Sequence, residues 1–226
     1  MLGGMSSVAS AEYYRLLNAG VNERLGGHSA ADLVLYSVDF AVIERCIREQ
    51  DWHRAGEHLA DRARRLERAG AELLLLATNT MHRVAPDIEA AITIPFLHIV
   101  DVTAQAALAD GVHRLGVLGT GPVMASEFYP DRLAAHGIEA LMPEPDEQAL
   151  IHEVIFDELT HGIVTEPSRA EYLRIIEALL ARGAAGVVLG CTEICLLIRP
   201  PDVPGVRLYD TTALHVRRAV ELALQD

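Results

Sequence analysis

The chain repeats itself, and this constrains its fold more than any local propensity. Residues 69–78 read AGAELLLLAT and residues 182–191 read RGAAGVVLGC. Gly70 maps onto Gly183 and Thr78 onto Cys191, each 113 positions on. Leu2-Gly3-Gly4 maps onto Leu118-Gly119-Thr120 at an offset of 116, and Pro95-Phe96-Leu97-His98 stands like Val206-Arg207-Leu208-Tyr209, near 111. A two-fold repeat of this length predicts two similar lobes and not a solenoid.

Each lobe alternates strand and helix patterns. Short apolar runs at Leu33–Val38, Leu73–Ala77, Pro95–Val100, Leu115–Leu118 and Val187–Leu189 predict strands, with a weaker one at Val206–Tyr209. Ala55, Leu59, Ala63 and Leu66 recur at helical spacing with Arg and Glu opposite, and Leu173, Ile176 and Leu180 repeat the pattern. The segments 143–146 and 199–204 read as loops. Alternation of this kind predicts an α/β fold with a mostly parallel, four-stranded sheet in each lobe, flanked by helices. The repeat sets one lobe at 1–99 plus 208–226 and the other at 100–207. Ligands bind beyond the carboxyl ends of parallel strands, so the loops after Ala77 and Gly190 are expected to face a common cleft. The repeat also places the partner of strand 113–117 before Met1. The first strand is therefore expected to be largely missing, through a start codon assigned too late or a fold that does without the strand.

Composition narrows the chemistry. All 19 basic residues of the 226 are arginine and none is lysine. A lysine Schiff base, pyridoxal-phosphate chemistry and a Walker A lysine are thereby excluded. The formal charge of −13 argues against nucleic acid or an anionic membrane as partner. Three cysteines (Cys46, Cys191, Cys195) make no disulfide framework, and no spacing of cysteine or histidine matches a metal site. No apolar run is long enough to span a membrane, and the N-terminus lacks a signal-peptide pattern. The expectation is a soluble cytoplasmic protein.

Two loops carry candidate chemistry. Thr78-Asn79-Thr80-Met81-His82 follows one buried strand and Gly190-Cys191-Thr192-Glu193 follows its repeat partner. Each sets a hydroxyl or thiol on a strand-to-helix turn, where following N–H groups can hold a carboxylate. The same amides and helix dipole are expected to favour a thiolate at Cys191.

These motifs, with Leu2-Gly3-Gly4-Met5-Ser6 and Leu118-Gly119-Thr120, resemble the aspartate/glutamate racemase superfamily along nearly the whole chain. The resemblance implies a pseudo-symmetric two-lobe α/β fold with its active site in the cleft, a homodimer, and neither metal nor cofactor. It implies that two residues face opposite sides of the substrate Cα, one removing a proton and the other returning one. The family's first cysteine is Thr78 here. That Thr/Cys pair, with Ser37-Val38-Asp39-Phe40 and Asn79-Thr80-Met81-His82, resembles the L-specific aspartate/glutamate racemases. By that resemblance Cys191 takes the Cα proton of the L-amino acid and Thr78 delivers one to the other face.

The remaining candidates bind substrate. Met5 and Ser6 sit on a Gly-Gly loop; Asn79, Thr80, Thr120 and Thr192 could hold the α-carboxylate and ammonium. Glu193 could pair with the ammonium or orient Cys191. A substrate side-chain carboxylate calls for an arginine fork, and Arg48 lies near where the family places one, with Arg45 close by. Ile47 stands where relatives in the subgroup carry glutamine. His82 is read as a partnered core histidine or a relay, Cys195 as a packed helix residue, and Cys46 receives no role. A decarboxylase or isomerase of small dicarboxylates, or a non-catalytic ligand-binding paralogue, are the competing readings.

Overall fold

The computed structural model describes residues 1–225. The chain forms two compact units, 1–99 with 215–226 and 100–214. Both are mixed α/β, with parallel strands flanked by helices.

The second unit holds one sheet. Its strands are β5 (Arg114–Gly119), β6 (Glu139–Leu141), β7 (Gly186–Gly190) and β8 (Arg207–Asp210), ordered β6-β5-β7-β8. The β5 and β7 side chains are almost all buried, as central parallel strands covered on both faces require. In the first unit β1 (Leu2–Gly3) pairs with β2 (Tyr36–Ser37), and β3 (Leu74–Leu75) with β4 (Phe96–Leu97). A single parallel bridge, Leu2 to Leu76, joins the pairs, giving the order β2-β1-β3-β4.

The strand order of the two units is therefore the same, and the register repeats as well. Leu2 opposite Leu76 corresponds to Leu118 opposite Leu189, at the two offsets read from the sequence (118 − 2 = 116; 189 − 76 = 113). The fourth landmark slips by one residue. Leu74 faces Phe96 and Val187 faces Leu208, so Phe96 corresponds to Leu208 and not to Arg207. Gly70 and Gly183 have φ of 90° and 96°, the left-handed turn that ends each preceding helix before its strand.

Other expectations shift at their edges. Strand β6 has no strand signal in the sequence, because Glu139, Ala140 and Leu141 carry no β-branched or aromatic side chain. The segment 143–146 is not all loop. Glu144 and Glu147 form a reciprocal cap, and helix Pro145–Glu153 starts there with proline in its first turn. Residues 200–202 make one 3₁₀ turn. Residues 99 and 100 begin helix Ile99–Ala109 and do not extend β4. The chain stays in the second unit beyond 207, since β8 pairs with β7 from Arg207 to Asp210.

Each unit has its own core. Helix Trp52–Arg68, capped by the Asp51 carboxylate on Arg54 N–H at 3.0 Å, buries Ala55, Leu59, Ala63 and Leu66 against β1 and β3 residues. Burying a leucine side chain contributes about 2 kcal/mol. In helix Glu166–Ala181 the fully buried stripe is Tyr172, Ile175, Ile176 and Leu179; Leu173 and Leu180 lie at its margin.

Candidate active site

The Cys191 loop grows out of the register of β5 and β7. Gly119 lies opposite Gly190, so the next residues, Thr120 and Cys191, leave the sheet side by side at its carboxyl edge. Glycine is required at that pair: a Cβ on Gly190 would meet the Leu118 carbonyl oxygen at 2.8 Å. Thr120 is buried and precedes the short helix Gly121–Met124. The Gly121 N–H donates to His152 Nδ1 at 3.1 Å.

Cys191, Thr192 and Glu193 are half-buried in the turn before helix Ile194–Leu197. The Cys191 thiol donates to Glu193 Oε2 at 3.0 Å. Burial first, then the Glu193 carboxylate, hold the Cys191 thiol well above its ordinary pKa. The expected bias towards thiolate is overturned. The helix that follows spans four residues and has a small dipole, while a carboxylate stands directly on the sulfur. Cys195 packs against the second unit's core, as expected, and burial and the Asp210 carboxylate raise its thiol pKa. Cys46 lies in the first unit's core.

The Thr78 loop is built differently. Ala77 N–H donates to Leu2 O and Thr78 N–H to Leu76 O, both at 2.9 Å. Thr78 is half-buried, Asn79 is buried, and Thr80 opens a 3₁₀ turn to Val84. His82 is the loop's staple. Its Nδ1 lies 2.7 Å from the Thr78 carbonyl, and its Nε2 accepts the Ile99 N–H at 3.2 Å. A carbonyl only accepts, so the ring is neutral with its proton on Nδ1. His82 is a buried, partnered histidine. Its ring packs 4.6 Å from His98 and 5.9 Å from His215. His215 is also neutral: Nε2 donates to Leu97 O, and Nδ1 accepts from Tyr13 Oη, each at 2.9 Å. Burial pushes its pKa down from 6.5 to about 4.

Met5 is buried and Ser6 caps helix Ser7–Leu25 through its hydroxyl on Ala9 N–H at 3.2 Å. The preceding Gly4 has φ 94°, and a side chain there would run into the Val38 backbone. Arg48 ends helix Phe40–Arg48, pairs with Glu44 at 3.2 Å, and keeps 65% of its side chain in solvent. Arg45 is exposed, and Ile47 packs on the core.

The sequence profile of the family described as Asp/Glu/Hydantoin racemase matches residues 2–219. The chain belongs to this family. A Yersinia pestis protein proposed to be an Asp/Glu racemase is 44% identical, covering 99% of this chain and 97% of that one, with a TM-score of 0.94. An aspartate racemase homologue from Pyrococcus horikoshii OT3 is 30% identical over 99% and 98%, with a TM-score of 0.85. The broad specificity amino-acid racemase RacX of Bacillus subtilis is 32% identical over 140 residues, 60% of this chain and 58% of RacX. Among the described residues no helix is long and apolar enough to cross a membrane.

Proposed function

We propose that this chain is a cofactor-independent amino-acid racemase acting on L-glutamate and L-aspartate. The observation that carries the reading is the Cys191 thiol bonded to a carboxylate acceptor at the carboxyl edge of the sheet. In this mechanism the Cys191 proton passes to Glu193 as substrate binds, and the thiolate removes the Cα proton of the L-amino acid. A thiolate that forms reluctantly is a stronger base once formed, which suits so weak a carbon acid. Thr78 delivers a proton to the opposite face. The Thr120 and Thr192 hydroxyls and neighbouring amides stabilise the enolate-like charge at the α-carboxylate. Without any lysine, the chain has no side chain to hold pyridoxal phosphate as an imine. A homodimer and a cytoplasmic location belong to the same proposal.

Cα-proton exchange in D₂O, followed by NMR, tests the mechanism. L-Glu and L-Asp should exchange, D-forms should react slowly, and Cys191→Ala should be silent. Exchange with no amino acid sinks it. Thr78 in place of a second thiol favours one other reading, protonation of an enolate left by decarboxylation, for which substituted malonates are the diagnostic substrates.

A further inference from the structure

Arg48 is held by Glu44 on the surface of its own helix, so recognition of a second substrate carboxylate calls for another donor. The second unit supplies one. Helix Pro145–Glu153 carries His152 in its last turn and widens at once into a π-turn over Val154–Glu158. Such widened turns recur at functional sites, because they re-aim side chains that a regular helix would stack.

Two contacts fix the His152 ring. Its Nδ1 accepts the Gly121 N–H at 3.1 Å, which puts the ring proton on Nε2 when the imidazole is neutral. The Phe156 ring packs on it with centroids 4.6 Å apart. A Cβ on Gly121 would lie 3.5 Å from the imidazole, in ordinary contact with it. His152 is half-buried, and its Nε2 has no hydrogen-bond partner among the described residues. Gly121 is the residue after Thr120, and Thr120 leaves the sheet beside Cys191. The imidazole therefore offers an oriented N–H donor next to the loop that carries the base.

We propose that His152 recognises the side-chain carboxylate of the substrate and so sets the preference for acidic amino acids. The Nε2–H donates to that carboxylate, while the Gly121 amide and the Phe156 ring hold its direction. This rests on the racemase reading above.

The test compares L-Glu with L-Gln, which has the same shape without the charge. For the native chain L-Glu should exchange with the higher kcat/KM. His152→Ala should raise KM for L-Glu about tenfold or more, the worth of a hydrogen bond to a charged group. It should leave kcat within about threefold and L-Gln nearly unchanged. His152→Gln keeps an acceptor for Gly121 N–H and a neutral donor, so it should fold normally and recover part of the loss. In Cys191→Ala protein, the His152 Hε1 resonance should move on adding L-Glu and stay put with L-Gln. Equal losses on L-Glu and L-Gln, or an unmoved resonance, would overturn the proposal while leaving racemisation standing. A native chain silent with every amino acid would remove both readings together.

Discussion

The two halves of the repeat share strand order and register, yet their loops do opposite things with their polar groups. After β3, the Thr78 carbonyl is tied to His82, whose other nitrogen takes the Ile99 amide. Both nitrogens of that ring face backbone groups. After β7, a thiol and a carboxylate face one another at 3.0 Å with burial acting against the thiolate. One loop is stapled by a histidine ring, while in the other a thiol and a carboxylate share a hydrogen bond. The repeat therefore keeps the scaffold while the two loops differ, with threonine at 78 where the other half has cysteine at 191.

The comparison breaks most sharply at the reacting groups. Cys191→Ala should lower exchange of L-Glu by on the order of 10³-fold, the scale of a positioned base. Thr78→Ala should separate the halves differently. Cys191 can still remove and return the L-face proton, so deuterium enters L-Glu in D₂O while D-Glu formation stops. Equal loss of both signals would show that the two loops are not divided by face.

The staple can be broken next. His82→Leu removes the partner of both the Thr78 carbonyl and the Ile99 amide in a buried site. Losing such bonds costs about 1–3 kcal/mol each, so urea unfolding should report a loss of about 3 kcal/mol. The corresponding position of the other loop, Cys195, is a core thiol, and Cys195→Ala should cost less.

His215 adds a pH dependence that belongs to the first unit alone. Its pKa is about 4 when folded and about 6.5 when unfolded. The unfolded chain therefore binds the extra proton. The stability due to a neutral His215 is whole above pH 6.5 and drains away as pH falls towards 4, by up to about 3 kcal/mol. Thermal unfolding from pH 7 to pH 4.5 should fall more steeply in the native chain than in His215→Gln. Parallel slopes would remove His215 from the account.

These differences mark what could be read from residues alone. The repeat was legible because backbone geometry demands it: Gly70 and Gly183 both occupy positive φ, and the Leu2–Leu76 bridge copies Leu118–Leu189. The stripe of Ala55, Leu59, Ala63 and Leu66 was legible because burial follows the helical period. The sign of the Cys191 shift was not. It depends on which way the Glu193 side chain turns and on how little of the sulfur's surroundings is water. Neither is encoded in spacing. His152 was missed for a similar reason, since its partner Gly121 is 31 residues away and the pairing exists only once the helix packs on the loop.

The gentlest test bears on that thiol–carboxylate hydrogen bond itself. Glu193 raises the Cys191 pKa by its charge and by accepting the thiol's hydrogen bond, but burial is the larger cause. Glu193→Gln removes the charge and leaves the burial, so the thiol should become modestly more acidic. At pH 8 iodoacetamide should then label Cys191 a few-fold faster than in the native chain, while L-Glu exchange falls because no carboxylate is left to take the proton. The two effects run in opposite directions only if Glu193 is a proton acceptor. A glutamate that acts on the thiol only through its charge would let reactivity and turnover rise together.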